Sequence, residues 1–169
     1  MDTFPRKLPP CAWKLRDLLP HRAPMVFLDS IEGFDPDARI LASRAAINRT
    51  KPFYSGGGVP GWAAIEYMAQ AAACLASAID KSKGLPAPVA GLLLGTRKLD
   101  IASLPAFDAG KTYRIAAHND YDDESGAAAF ACTISDADGD PDAAPLASAT
   151  LTAYRLPDPP AQARGEAQQ

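Results

Sequence analysis

Residues 61–82 carry apolar side chains on every side of a helical wheel. Trp62, Ile65, Met68, Ala72, Leu75 and Ile79 are spread round it, and alanines fill the gaps between them. After Gly61 no glycine or proline interrupts the run, whereas Gly56, Gly57, Gly58 and Pro60 break whatever precedes it. One long helix over about 61–82 is predicted there. With no polar stripe to face solvent, the helix is expected to be enclosed by the rest of the fold.

Elsewhere the pattern changes to short apolar or alternating runs bounded by turn residues, the mark of strands. Residues 25–31 and 38–47 read as a hairpin turning at 33–37, and 48–59 as an irregular, glycine-rich crossing into the helix. After the helix, 83–88 is a loop. Strands follow at 91–101, 112–119, 127–135 and 146–155, separated by acidic turns around Asp122 and Asp138. Residues 13–18 are amphipathic enough for one or two helical turns. Strands with no helices between them predict an antiparallel sheet of five to seven strands, and the one helix must lie in its concave face: an α+β fold. A single domain is expected over 1–156, with residues 1–18 as an N-terminal arm. The tail at 157–169 is too poor in apolar side chains to order itself.

Composition narrows the function classes. At 169 residues the chain is long enough for one real core. A net charge of -3 with no basic run leaves no footprint for nucleic acid or an anionic membrane. The predicted helix would reach about 30 Å, enough for a bilayer, but Glu66, Gln70 and its alanine content argue against a span. No apolar signal core opens the sequence, and Cys11, Cys74 and Cys132 are odd in number and far apart. Reduced thiols in a cytoplasm are therefore expected, with neither a zinc site nor a disulfide framework.

Two residues stand out against this background. Glu66 is a carboxylate in an apolar helix, costly unless paired, hydrogen-bonded or protonated, and Gln70 lies one turn on along the same face. His21 sits between Pro20 and Pro24, which stiffen the loop on either side of it. His118 alternates with Arg114 along a strand whose other face is Tyr113, Ile115 and Ala117, so it is expected at the polar surface. Arg97 is expected to make a structural ion pair. Trp62, Tyr67 and Met68 are expected first as core or interface packing.

The order of hairpin, buried helix and antiparallel strands resembles the hot-dog fold. Pro20-His21-Arg22, Pro60-Gly61-Trp62, Glu66-Tyr67-Met68-Ala69-Gln70 and Gly91-Leu92-Leu93-Leu94-Gly95-Thr96-Arg97 resemble β-hydroxyacyl-[acyl-carrier-protein] dehydratases of the ApeP-like branch, associated with aryl-polyene pathways. The resemblance spans about 19–155 and implies a catalytic acid at Glu66. It also implies an acyl carrier protein as the partner bearing the substrate, and a homodimer, or higher homo-oligomer, joined sheet edge to sheet edge. One element departs from the pattern. The histidine that such dehydratases carry fourteen residues before the helix acid, in a His-Phe-Pro-Gly stretch, is replaced by Pro52. Proline exchanges no proton, which leaves His21 as the histidine best placed to act.

Eliminating water from a 3-hydroxyacyl thioester needs a base for the C2 proton, an acid for the 3-hydroxyl and donors for the thioester oxygen. Glu66 and His21 are the expected catalytic residues, with the division of labour open. Gly61, Trp62 and Gln70 are the expected substrate contacts: backbone N–H groups at the helix start would meet the thioester, and Gln70 would also orient Glu66. This chemistry calls for no metal or organic cofactor. A hot-dog thioesterase and a non-catalytic acyl-binding subunit remain alternatives.

Overall fold

The computed structural model describes residues 4–86, 91–140 and 142–156. The tail expected at 157–169, the first residues of the arm and the end of the 83–88 loop lie outside the described residues. The element order is α1 (Leu15–Leu18), β1 (Ser30–Asp35), β2 (Ile40–Ala46), β3 (Gly58–Pro60), a 3₁₀ turn (Gly61–Ala63), α2 (Ala64–Ser82), β4 (Gly91–Asp100), β5 (Ala106–Asp108), β6 (Thr112–Asp122), β7 (Ala127–Asp136) and β8 (Ala147–Arg155). Six strands form one antiparallel sheet in the order β1-β2-β6-β7-β8-β4, and β3 pairs with β5 alone.

Alternation along β6 fixes which face of the sheet is inside. Tyr113, Ile115 and Ala117 point inward and, with Leu41, Ile134 and Leu151, pack round Tyr67, Met68 and Leu75 of α2. On the outer face Glu32 joins Arg44 (2.7 Å) and Arg114 (2.8 Å), and Arg114 also donates to the Pro5 carbonyl, so the N-terminal arm crosses this face. Phe34 N–H donates to Pro9 O at 2.9 Å, covering the β1 edge of the sheet. By length and composition the 61–82 helix could cross a membrane, but 67% of its most apolar window is buried inside the fold.

Three expectations need correction. The strand expected at 25–31 lies at Ser30–Asp35, with its turn at 36–39 held by Asp35 Oδ1, which accepts from Asp37 and Ala38 N–H. Backbone groups of Met25 and Phe27 are taken instead by the Gln70 side chain, so sheet pairing begins only at Asp29, whose N–H donates to Arg44 O. The helix is not enclosed on every side, for Ala69, Ala73 and Ala76 are only partly buried. Opposite that face, every residue of β4 is exposed, with Leu94 60% accessible, and β4 is held to the chain through β8 alone. Arg97, on this strand, makes no ion pair among the described residues.

Candidate active site

The start of α2 is set by contact with β5. Gly61 N–H donates to Pro105 O at 2.9 Å, and a Cβ at Gly61 would stand 1.8 Å from the Leu104 carbonyl oxygen. Only glycine fits against that backbone. The 3₁₀ turn then leads into Ala64–Ser82, which places Glu66 in the first α-helical turn and Gln70 one turn further on.

Gln70 is fully buried and its amide is saturated by protein groups. Its Oε1 accepts from Phe27 N–H (2.9 Å), while its Nε2 donates to Met25 O (2.9 Å) and to Glu66 Oε1 (2.7 Å). One carboxylate oxygen is thereby fixed in direction. His21 reaches the same carboxylate oxygen from the loop that follows α1. Arg22 holds this loop, its Nη1 donating to the carbonyls of Leu19, Pro20 and His21 at 2.9–3.1 Å. His21 Nε2 lies 3.7 Å from Glu66 Oε1, with the two side chains 38% and 35% exposed. Such a gap leaves no room for a water between the two atoms.

This pair stands in the wall of a chamber of about 680 Å³. The uncovered alanines of α2 form one side, Leu92, Leu93, Phe130 and Leu151 face them, and the Asp80–Arg155 ion pair (3.0 Å) lies among the lining residues near the C-terminal end of α2. An apolar slot with two neighbouring proton-exchanging groups in its wall suits an acyl chain whose reacting carbons lie against both of them.

The residues expected in the site fare differently. His21 and Glu66 are brought together. Gly61 makes its close approach to the backbone of Leu104 and Pro105, and its N–H is donated to Pro105 O. Both Gln70 amide hydrogens are used within the protein, on Met25 O and Glu66 Oε1, and the side chain is fully buried. Trp62 is neither core nor chamber wall; it is 56% exposed, with its ring 5.1 Å from Phe53. His118 lies at the surface, Nδ1 2.6 Å from Asp120 Oδ1. Burial pushes the Tyr67 phenol well above its ordinary range, with Asp29 and Tyr113 adding to the effect. It pushes the Cys74 and Cys132 thiols up likewise, away from the reactive thiolate. No group of three or more His, Cys, Asp or Glu among the described residues is placed to hold a metal ion.

Sequence reasoning missed Arg22, Lys51 and Asp29. Lys51 Nζ is buried and donates to Phe27 O (2.9 Å) and to Asp29 Oδ1 (2.7 Å), immediately before Pro52. Arg22, set between Pro20 and Pro24 in a loop whose carbonyls lie outside any sheet or helix, was the more discoverable of them. A single lysine in a glycine-rich loop carries no such signal.

Residues 13–164 match the family described as ApeP-like, ApeP dehydratase. A 3-hydroxyacyl-[acyl-carrier-protein] dehydratase FabZ from Anaeromyxobacter sp. is 35% identical over 68 residues, which cover 37% of this chain and 43% of the relative. This chain thus spans less than half the length of that relative. Among solved structures, the dehydratase heterocomplex ApeI:P from Xenorhabdus doucetiae superposes with a TM-score of 0.75 at 28% identity, over 86% of this chain and 93% of that one. A hypothetical thioesterase with coenzyme A from Streptococcus pneumoniae superposes at 0.55 with 12% identity, over 75% and 84%, and shares the hot-dog fold.

Proposed function

The chain belongs to the ApeP-like dehydratase family, and on that footing we propose that it is a hydro-lyase acting on a 3-hydroxyacyl thioester carried by an acyl carrier protein, with the trans-2-enoyl thioester and water as products. The observation that carries this reading is the 3.7 Å approach of His21 Nε2 to Glu66 Oε1 beside an apolar chamber. One of the two groups takes the proton from C2. The other gives a proton to the 3-hydroxyl, so that C–O cleavage releases water and the electron pair of the C2–H bond becomes the new double bond. After one turnover a proton has moved from one side chain to the other, and both are exposed enough to re-equilibrate with solvent. Gln70 fixes Glu66 Oε1 and leaves Oε2 to face substrate. The Trp62 and Ala63 N–H groups, in the 3₁₀ turn that leads into α2 and without intrahelical partners by position, are the proposed donors to the thioester oxygen.

Assembly belongs to the same proposal. A ten-residue edge strand exposed along its whole length, with Leu92, Leu93, Leu94 and Leu99 accessible, is an unpaired surface that a partner would cover. We propose a two-fold homodimer joined along β4. Free Cys11, Cys74 and Cys132 fit the expected cytoplasmic setting. The test is incubation with 3-hydroxyacyl-loaded carrier protein followed by intact mass analysis. Loss of one water, with ultraviolet absorption of the enoyl thioester, supports the dehydratase. Release of free carrier thiol with the 3-hydroxyl retained overturns it in favour of the thioesterase.

A further inference from the structure

An ion pair between a buried lysine and a partly exposed aspartate lies outside the lining of the chamber. Lys51 has a side chain only 4% exposed, and its Nζ is shared between the Phe27 carbonyl and Asp29 Oδ1. Asp29 is itself docked on β2: its N–H donates to Arg44 O at 2.8 Å, and its Oδ2 accepts from Ala46 N–H at 2.6 Å. Burying an ammonium is costly without full partnering, so this lysine is held in one geometry rather than many.

The Phe27 backbone is gripped at both ends. Its carbonyl accepts from Lys51, and its N–H donates to Gln70 Oε1. Gln70 in turn donates to Glu66 Oε1, and its second amide hydrogen goes to Met25 O in the same short segment. Four residues upstream of Met25 the chain carries His21. Both members of the proposed catalytic pair are therefore referenced to segment 25–27: His21 through the chain, and Glu66 through Gln70. That segment has no strand pairing of its own; the Phe27 ring packs on Tyr67 and Phe53, and the polar tie of its backbone to the sheet runs through Lys51 and Asp29.

We propose that Lys51, anchored by Asp29 on β2, is a positioning residue that sets the His21–Glu66 geometry through Phe27 and Gln70. The inference rests on the dehydratase reading for its kinetic consequence but not for its structural one. A displacement of about 1 Å at reacting groups costs on the order of a hundredfold in rate. Removing the Lys51 ammonium lets Phe27 drift, and the Gln70 rotamer and Glu66 Oε1 follow. Substrate binding along the chamber is untouched, so kcat falls while KM holds.

The experiment compares wild type, Lys51→Met, Gln70→Leu and the double variant. Asp29→Asn serves as a milder probe, since Asp29 is 45% exposed and tolerates the change. Two readouts are taken: kcat and KM on a 3-hydroxyacyl carrier thioester, and hydrogen exchange of the Gln70 side-chain amide by NMR. Lys51→Met is expected to lower kcat by about ten- to a hundredfold at constant KM, and to have no further effect once Gln70 is leucine. Asp29→Asn should lower kcat in the same direction. Exchange of the Gln70 amide should quicken at least about tenfold in both Lys51→Met and Asp29→Asn, while backbone amides of α2 keep their protection. Multiplicative losses in the double variant overturn the proposal, as does an unchanged Gln70 exchange rate in Asp29→Asn. A wild type without dehydratase turnover would overturn the dehydratase reading and leave the exchange measurement to decide this inference alone.

Discussion

Gly61→Ala separates a packing role from a substrate role at the start of α2, and its size can be worked from the contacts. A carbon at that position would lie 1.8 Å from Leu104 O and 2.8 Å from Pro105 O, where real Cβ atoms essentially never come under 3.0 Å. The two backbones must part by more than an ångström, which breaks the 2.9 Å bond from Gly61 N–H to Pro105 O. Leaving that buried pair unsatisfied costs about 1–3 kcal/mol. Overpacking adds about 1–3 kcal/mol, and the better helix propensity of alanine returns less than about 1 kcal/mol. A net loss of about 2–5 kcal/mol is expected, a large part of the ~5–15 kcal/mol available to a domain of this size. Urea unfolding followed by circular dichroism reads it as a lowered midpoint at constant slope. A loss below about 1 kcal/mol together with a raised KM would refute the packing account and return Gly61 to the substrate.

Two further outcomes are expected. Leu94→Glu, placed on the exposed edge strand β4, should turn a dimer into a monomer in sedimentation at micromolar concentration with an unchanged circular dichroism spectrum; unaltered sedimentation would remove β4 from the interface. Hydrogen bonds, first from the Ser125 hydroxyl and then from the Tyr121 hydroxyl, hold the Asp123 carboxyl down at about 2, against 3.8 for a free aspartate. Because the folded value is the lower one, this contribution to the β6–β7 turn is complete above about 3.8 and is lost as pH falls toward about 2. Amide exchange at Ser125 and Ala127, whose N–H groups donate to Asp123 Oδ1, should quicken across that window in wild type and show no such step in Asp123→Asn.

The parts of this structure that could be read from sequence are those where one residue pattern has one physical outcome. The helix was legible because glycines and a proline stop what precedes it and alanines carry it forward; β6, β7 and β8 were legible because alternation and acidic turns bound them. The first strand was misplaced by about five residues because Met25 and Phe27 satisfy their backbones on a side chain, Gln70, that sequence pattern does not connect to them. β3 and β5, three residues each, are too short for alternation to show. An alanine-covered helix reads as enclosed, yet small side chains also leave a slot, and here the slot along Ala69, Ala73 and Ala76 is the chamber. Glu66 and His21 were visible as an acid on an apolar helix and a histidine between prolines. Gly61 was visible as a close approach but not as to what, since that depended on Pro105, forty-four residues away.

The central claim is that His21 and Glu66 of the folded protein act as one acid/base pair, and the most direct measurement is a kinetic double-mutant cycle. Turnover of a 3-hydroxyacyl carrier thioester is followed for wild type, His21→Ala, Glu66→Gln and the double variant, each checked for an unchanged unfolding midpoint. Both positions line the chamber and are only partly buried, so neither substitution should disturb the core. Each single variant should lose about two to four orders of magnitude in kcat, and the double variant should lose no more than the worse single, as groups acting together do. A folded His21→Ala protein that still dehydrates its substrate at near wild-type rate would contradict the account.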